Sequence, residues 1–174
     1  MTLRPFLRAA ATGAALALAS CASPFEPDPA DFAVSLVAEG CLPALQSGAP
    51  LAQLAADRGL EESLYLGIPG MAQPTAAWAR EVRGSTVRLV DAAGFCAVVA
   101  EDTGTAEIAA LVERRIGGLS QAPTGMPVVR IPGLLDFAVR SYVTAGMAPR
   151  RITVTSLGMA ADTGLGDNTL ITVE

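Results

Sequence analysis

STVRLVDAAGFCAVVA, Ser85 to Ala100, sets two apolar, β-branched runs on either side of Asp91-Ala-Ala-Gly94. Ser85 to Val90 and Phe95 to Ala100 read as strands, and the four residues between them are the kind of turn that closes a hairpin. A hairpin alone is marginal in water, so the flanking sequence must supply more strands and a covering layer.

Downstream, Thr105 to Ile116 carries Ile108, Leu111, Val112 and Ile116 at helical spacing, with Glu107, Glu113 and Arg114 outside that stripe and Gly117-Gly118 as the stop. Period-two patterning then returns. Pro127 to Ile131 turns at Pro132-Gly133 into Leu135 to Thr144; Arg151 to Leu157 follows, and Thr169 to Val173 ends the series. Leu135, Phe137, Val139 and Val143 alternate with Asp136, Arg140, Tyr142 and Thr144, which predicts the first set inward and the second in water. Ile152 and Val154 oppose Arg151, Thr153 and Thr155 in the same way.

Upstream, Asp28 and Pro29 are suited to the first turn of a helix, where N–H groups lack partners. Val34, Val37, Ala38, Cys41 and Leu42 then give an apolar face that Pro43 bends or ends and Gly48 closes. Pro50 to Arg58 reads as a second short helix stopped by Gly59. Residues 60–77 show no clean period and three breakers, Pro69, Gly70 and Pro74, which suggests a surface loop; the lone Trp78 after it is expected as a structural anchor. The fold class expected is α+β: the N-terminal helices and the central helix pack on one face of an antiparallel sheet, built from a hairpin plus a C-terminal four-strand meander. No internal repeat or heptad is visible.

The N-terminus carries Arg4 and Arg8 and then a nearly uninterrupted apolar stretch from Ala9 to Ala19, the pattern of an export signal. Pro24, Glu26 and Asp28 arrive too soon for a span, which needs about 20 apolar residues. Two cleavage readings share these residues. Ala17-Leu18-Ala19 is an A-x-A site that would leave Ser20 first, while Leu18-Ala19-Ser20-Cys21 resembles the lipobox of bacterial lipoproteins. The second resemblance implies lipidation of Cys21 as the first mature residue, attachment to a membrane through the lipid anchor, and, with Ala22 next, sorting to the outer membrane facing the periplasm. The domain organisation that follows is a signal peptide over 1–20, a lipidated cysteine and Pro-rich tether over 21–29, and one α+β domain over 30–174. Over residues 30 to 115 the order of features also resembles uncharacterised secreted bacterial proteins, a likeness that transfers no active site.

Cys41 and Cys96 remain inside the domain. In an oxidising compartment an even pair reads as one disulfide, and two buried thiols are the alternative. The whole chain carries a net charge of -5, and cleavage after residue 20 removes two arginines and no acid. An acidic chain without a basic stripe argues against nucleic acid as a partner.

Histidine is absent and all twelve basic residues are arginine. Ser-His-Asp and Cys-His chemistry, most zinc sites, Schiff bases and Ser-Lys dyads therefore have no basis in these residues. Glu61-Glu62 and Glu101-Asp102 are adjacent acids, but glycoside hydrolysis needs two carboxyls about 5 to 9 Å apart across a sugar, so no catalytic residue is assigned. Asp162, Asp167 and Asn168 lie in ADTGLGDN, where oxygen ligands could meet calcium, yet the spacing matches no EF-hand and suits an ordinary turn; no metal and no cofactor is expected. Arg130, Arg140, Arg150 and Arg151, with Tyr142, could gather on the wet sheet face and receive an anion or an envelope protein partner. A binding or assembly lipoprotein is the leading expectation. The alternatives are a carboxylate-dependent cell-wall hydrolase and a plain secreted structural protein.

Overall fold

The structure is a computed structural model and describes residues 26–64, 73–122, 139–156 and 168–174. The signal segment with Cys21, the strand expected at Pro127 to Ile131, Arg130, Asp162 and Asp167 lie outside the described residues.

Asp28 accepts a hydrogen bond from the Ala30 N–H at 3.0 Å and so caps α1 (Pro29–Leu36), with Pro29 at its first position and Asp31 in its first turn. The helix does not stop at Pro43. It widens into a π turn (Val37–Cys41), where the Leu42 N–H reaches back to the Val37 carbonyl, and continues as α2 (Leu42–Ser47). Pro43 cannot donate, and its ring crowds the carbonyl four residues earlier, so one wide turn before it keeps the chain helical. Gly48, in the left-handed region at φ 71°, ends α2. The short α3 (Leu51–Asp57) follows.

Eight strands form one antiparallel sheet: β1 (Glu61–Glu62), β2 (Pro74–Val82), β3 (Ser85–Ala92), β4 (Phe95–Ala100), β5 (Leu119–Ala122), β6 (Val139–Thr144), β7 (Arg151–Ser156) and β8 (Thr169–Val173). Helix α4 (Thr105–Arg115) lies between β4 and β5 in sequence. The spatial order is β1-β2-β3-β4-β8-β7-β6-β5. The fold class is α+β as expected, with α1 packed on α4, β3 and β4, and α4 on β7.

This order contains a doubling that the residues do not display. Each half is a helical segment followed by a four-strand meander, and the last strands of the two halves, β4 and β8, pair antiparallel at the centre with Val98 opposite Ile171. An approximate two-fold axis through that pair exchanges the halves. Its consequence is a matched register: Ala100, Val87 and Arg80 form one cross-strand row, and Val173, Ile152 and Tyr142 form its counterpart.

Cys41 in the π turn is bridged to Cys96 on β4 across a Cα separation of 5.3 Å, within the ordinary range, and both residues are buried. The bridge ties the helical layer to the centre of the sheet. Around it lies the main core, in which Phe32, Val34, Leu36, Trp78, Leu89, Val98, Ile108, Ile152 and Ile171 meet.

Several expectations change here. Residues 74–77, expected in a loop, begin β2, and Glu61-Glu62 form edge strand β1. PTAAWAREV is rich in alanine and poor in β-branched residues, so its strand character comes from pairing with β3 and from docking Trp78, not from propensity. Edge strand β5, four residues long and half polar, gives no sequence signal. The hairpin turn is tighter than four residues: Ala92 pairs with Phe95, leaving Ala93 and Gly94 to reverse the chain, with Gly94 at φ 87°. The face opposite the helices is not simply wet, because Ala77, Val90, Ala97, Val99 and Leu170 form a second buried cluster there. FCAVVA is apolar at successive positions and TLITV is buried at every one, as befits strands covered on both faces. Tyr142 was expected in water and is only 2% exposed. It stands on the helix-covered face beside Ile152, because α4 reaches over β6 and accepts its hydroxyl.

Candidate functional site

A cavity of about 680 Å³ opens beside α1, its lining running from Pro27 ahead of the helix to Glu39 in the π turn. Three arginines from three elements converge on it: Arg58 caps the end of α3, Arg80 lies on β2, and Arg115 ends α4. Each is held by a different device. Arg58 pairs with Glu39 of the π turn, and the Arg115 Nη2 donates to Asp31 Oδ1 at 2.9 Å. Arg80 lies over the Phe32 ring, 5.3 Å from its centroid, and its Nη1 donates to the Arg58 carbonyl at 2.8 Å. Asp57, hydrogen-bonded to Gln53 at 2.8 Å, also lines the cavity. Three guanidinium groups and three carboxylates therefore share one wall.

At the pseudo-equivalent place across the sheet, Tyr142 donates to Glu113 Oε1 at 2.8 Å, and Arg140 Nη1 lies 3.9 Å from the same oxygen. Burial, the bond to Glu113 and that carboxylate's charge push the Tyr142 phenol above its ordinary value, with Arg140 offsetting only part of the rise. A smaller cavity of about 340 Å³, lined by Glu113, Gln121, Tyr142 and Gly117-Gly118, opens beside this group.

Of the described arginines expected to form a partner face, only Arg140 joins Tyr142. Arg151 is exposed and its backbone exchanges both hydrogen bonds with Glu174. Arg150 turns toward the helices: its Nη2 donates to the Leu45 carbonyl at the end of α2, and its backbone N–H donates to Thr144 Oγ1 at 2.9 Å. Asn168 accepts the Asp102 N–H at 3.3 Å, a turn-closing contact. Among the described residues no group of three metal-ligating side chains is assembled.

The adjacent acids are dispersed. Glu61 and Glu62 sit exposed on β1, while Glu101 pairs with Arg88 of β3. Burial raises the Glu101 carboxyl, but the hydrogen bonds from Arg88 and Thr86 and the Arg88 charge outweigh it and hold the group below its ordinary 4.5. A lowered folded-state value contributes stability that is present above the unfolded value and lost as pH falls through the folded one, so this contribution fades below about pH 4.5. Replacing Arg88 with Met leaves burial opposed only by the Thr86 hydrogen bond. We expect Glu101 then to titrate higher than in the unsubstituted protein by carboxyl-carbon NMR, and an unchanged value would remove Arg88 as the cause.

Searches of protein-family models, curated proteins and solved structures find no match to this chain. The cleft of Arg58, Arg80 and Arg115 was not legible in the sequence, because its members are 22 and 35 residues apart and no local spacing marks them. The one visible hint was Asp31 in the first turn of a capped helix, and that position serves the helix as well as the cleft.

Proposed function

We propose that this chain is a bacterial envelope lipoprotein, acylated at Cys21 and held at the outer membrane facing the periplasm, whose α+β domain works as a binding or assembly component. The observation that carries the reading is the Leu18-Ala19-Ser20-Cys21 run at the end of an apolar export segment. Cysteine accounting supports it. The chain has three cysteines, two are joined in the buried bridge, and Cys21 is the one left over. A single acyl chain binds a bilayer weakly and reversibly, whereas two or three hold a protein there. A ligand-sized cleft that Pro27 helps to line supports the binding role.

Intact-mass measurement of the membrane-extracted protein tests this directly. The expected species begins at Cys21 and carries fatty acyl groups, and Cys21→Ser moves the protein to the soluble fraction. An unmodified chain beginning at Ser20 would defeat the proposal.

A further inference from the structure

We infer that the Arg58–Arg80–Arg115 cleft binds a small zwitterion, a phosphate or carboxylate a few ångströms from an ammonium group. Its placement near a membrane rests on the proposed anchor; its chemistry does not.

A guanidinium offers five N–H donors, and among the described residues each of these three spends one on a protein oxygen. The unspent donors come from three separate elements around one cavity of ligand size. The ion pairs that occupy the arginines are half-exposed: Arg58 and Glu39 are 36% and 51% exposed, Arg115 and Asp31 43% and 39%. Pairs this wet contribute little and exchange easily for a ligand's charges. A simple anion would displace Asp31 and Glu39 from their partners and leave both carboxylates, with Asp57, facing it uncompensated. A ligand that also carries an ammonium group satisfies both sets, because its anion takes the guanidinium forks and its cation takes the released carboxylates. The Phe32 ring, already under Arg80, supplies an apolar floor.

Two sources carry this chemistry, an ethanolamine-phosphate lipid head group and a free amino acid or peptide. Pro27 lines the cleft, and the Glu26 carbonyl accepts from Arg83 Nη2 at 2.6 Å, so the chain leading from Cys21 is fastened at its rim. Cys21 lies six positions before Pro27, which keeps the cleft within about 20 Å of the acylated residue.

The test is titration calorimetry on the full chain in a non-ionic maltoside detergent, with O-phosphoethanolamine, glycylglycine and inorganic phosphate as probes. Saturable binding of a zwitterion, at least about tenfold tighter than phosphate, is expected. Arg58→Gln and Arg115→Gln, both at half-exposed positions that the fold tolerates, each weaken every probe about fivefold. Asp31→Asn with Glu39→Gln lowers the preference for zwitterion over phosphate about tenfold, since it frees guanidinium groups while removing the ammonium's partners. A purely structural set of ion pairs would move neither ratio. Phosphoethanolamine binding tighter than glycylglycine identifies the head group as the source, the reverse order identifies an amino acid or peptide, and either supports the assignment. Phosphate binding as tightly as the zwitterions, a preference unchanged in the double variant, or no saturable heat from any probe up to about 10 mM would overturn it. The mass measurement on Cys21 decides the anchor independently of these outcomes.

Discussion

Replacing Cys41 and Cys96 together by alanine is expected to lower the melting temperature by roughly 10 °C. The bridge joins residues 55 apart, and closing a loop of that length removes denatured-chain entropy amounting to about 4 kcal/mol. Domains of this kind are stable by about 5–15 kcal/mol in total, so the loss is a large fraction of what holds the fold. Position adds to the effect, since the link runs from the π turn, where the helix is already widened for Pro43, to β4, a strand of the central pair. Without it the helical layer relies on apolar packing alone at that point. Alanine avoids leaving a hydroxyl in a dry core, so Cys96→Ser on its own, which strands both a serine and a lone Cys41 thiol, should fare no better than the double variant. Thermal unfolding followed by circular dichroism, with and without reductant, makes the measurement. A fall of less than about 2 °C would show that the bridge does not restrain the unfolded chain in the way supposed.

The legibility of the fold tracks how much each segment's local preference agrees with its final surroundings. STVRLVDAAGFCAVVA and Thr105 to Ile116 were readable because periodicity, β-branching and stop residues all agree there with the tertiary result. The segment PTAAWAREV was not, because alanine states no preference and the pairing with β3 decides its conformation. Tyr142 was assigned to the wrong face for a related reason. The period-two pattern on β6 places Tyr142 and Arg140 correctly on a common face, but which face the helices cover is a long-range fact, set where α4 brings Glu113 over the sheet. The arginine cleft was harder still. Its charges come from helix ends and a strand that meet only after folding, and each charge looks locally like a solvated surface residue. The topological doubling has the same character: a shared plan of helix and meander needs only matching element order, and the two halves share no residue pattern that would betray it.

That doubling leads to the second large effect, at the seam between the halves. Ile171 is fully buried, lies opposite Val98 of β4 on one side and Val154 of β7 on the other, and so stands at the approximate two-fold axis. Truncation to alanine removes its transfer free energy and leaves a cavity that a strand held between β4 and β7 cannot easily close, for a cost of about 3–4 kcal/mol. Leu119→Ala on edge strand β5, where the side chain is only half-buried, should cost well under half as much. The position of Ile171 also raises a question of cooperativity, because the β4–β8 pairing and the α1–α4 packing join the halves. Both joints draw on the one core that holds Phe32, Val98, Ile108 and Ile171, so neither meander keeps a dry interior once the seam opens. Ile171→Ala is therefore expected to shift a single transition downward without splitting it, with near- and far-ultraviolet circular dichroism coincident. Two separated transitions would mean that each half holds a sufficient core of its own, and the seam would then be a docking surface between two units instead of the centre of one.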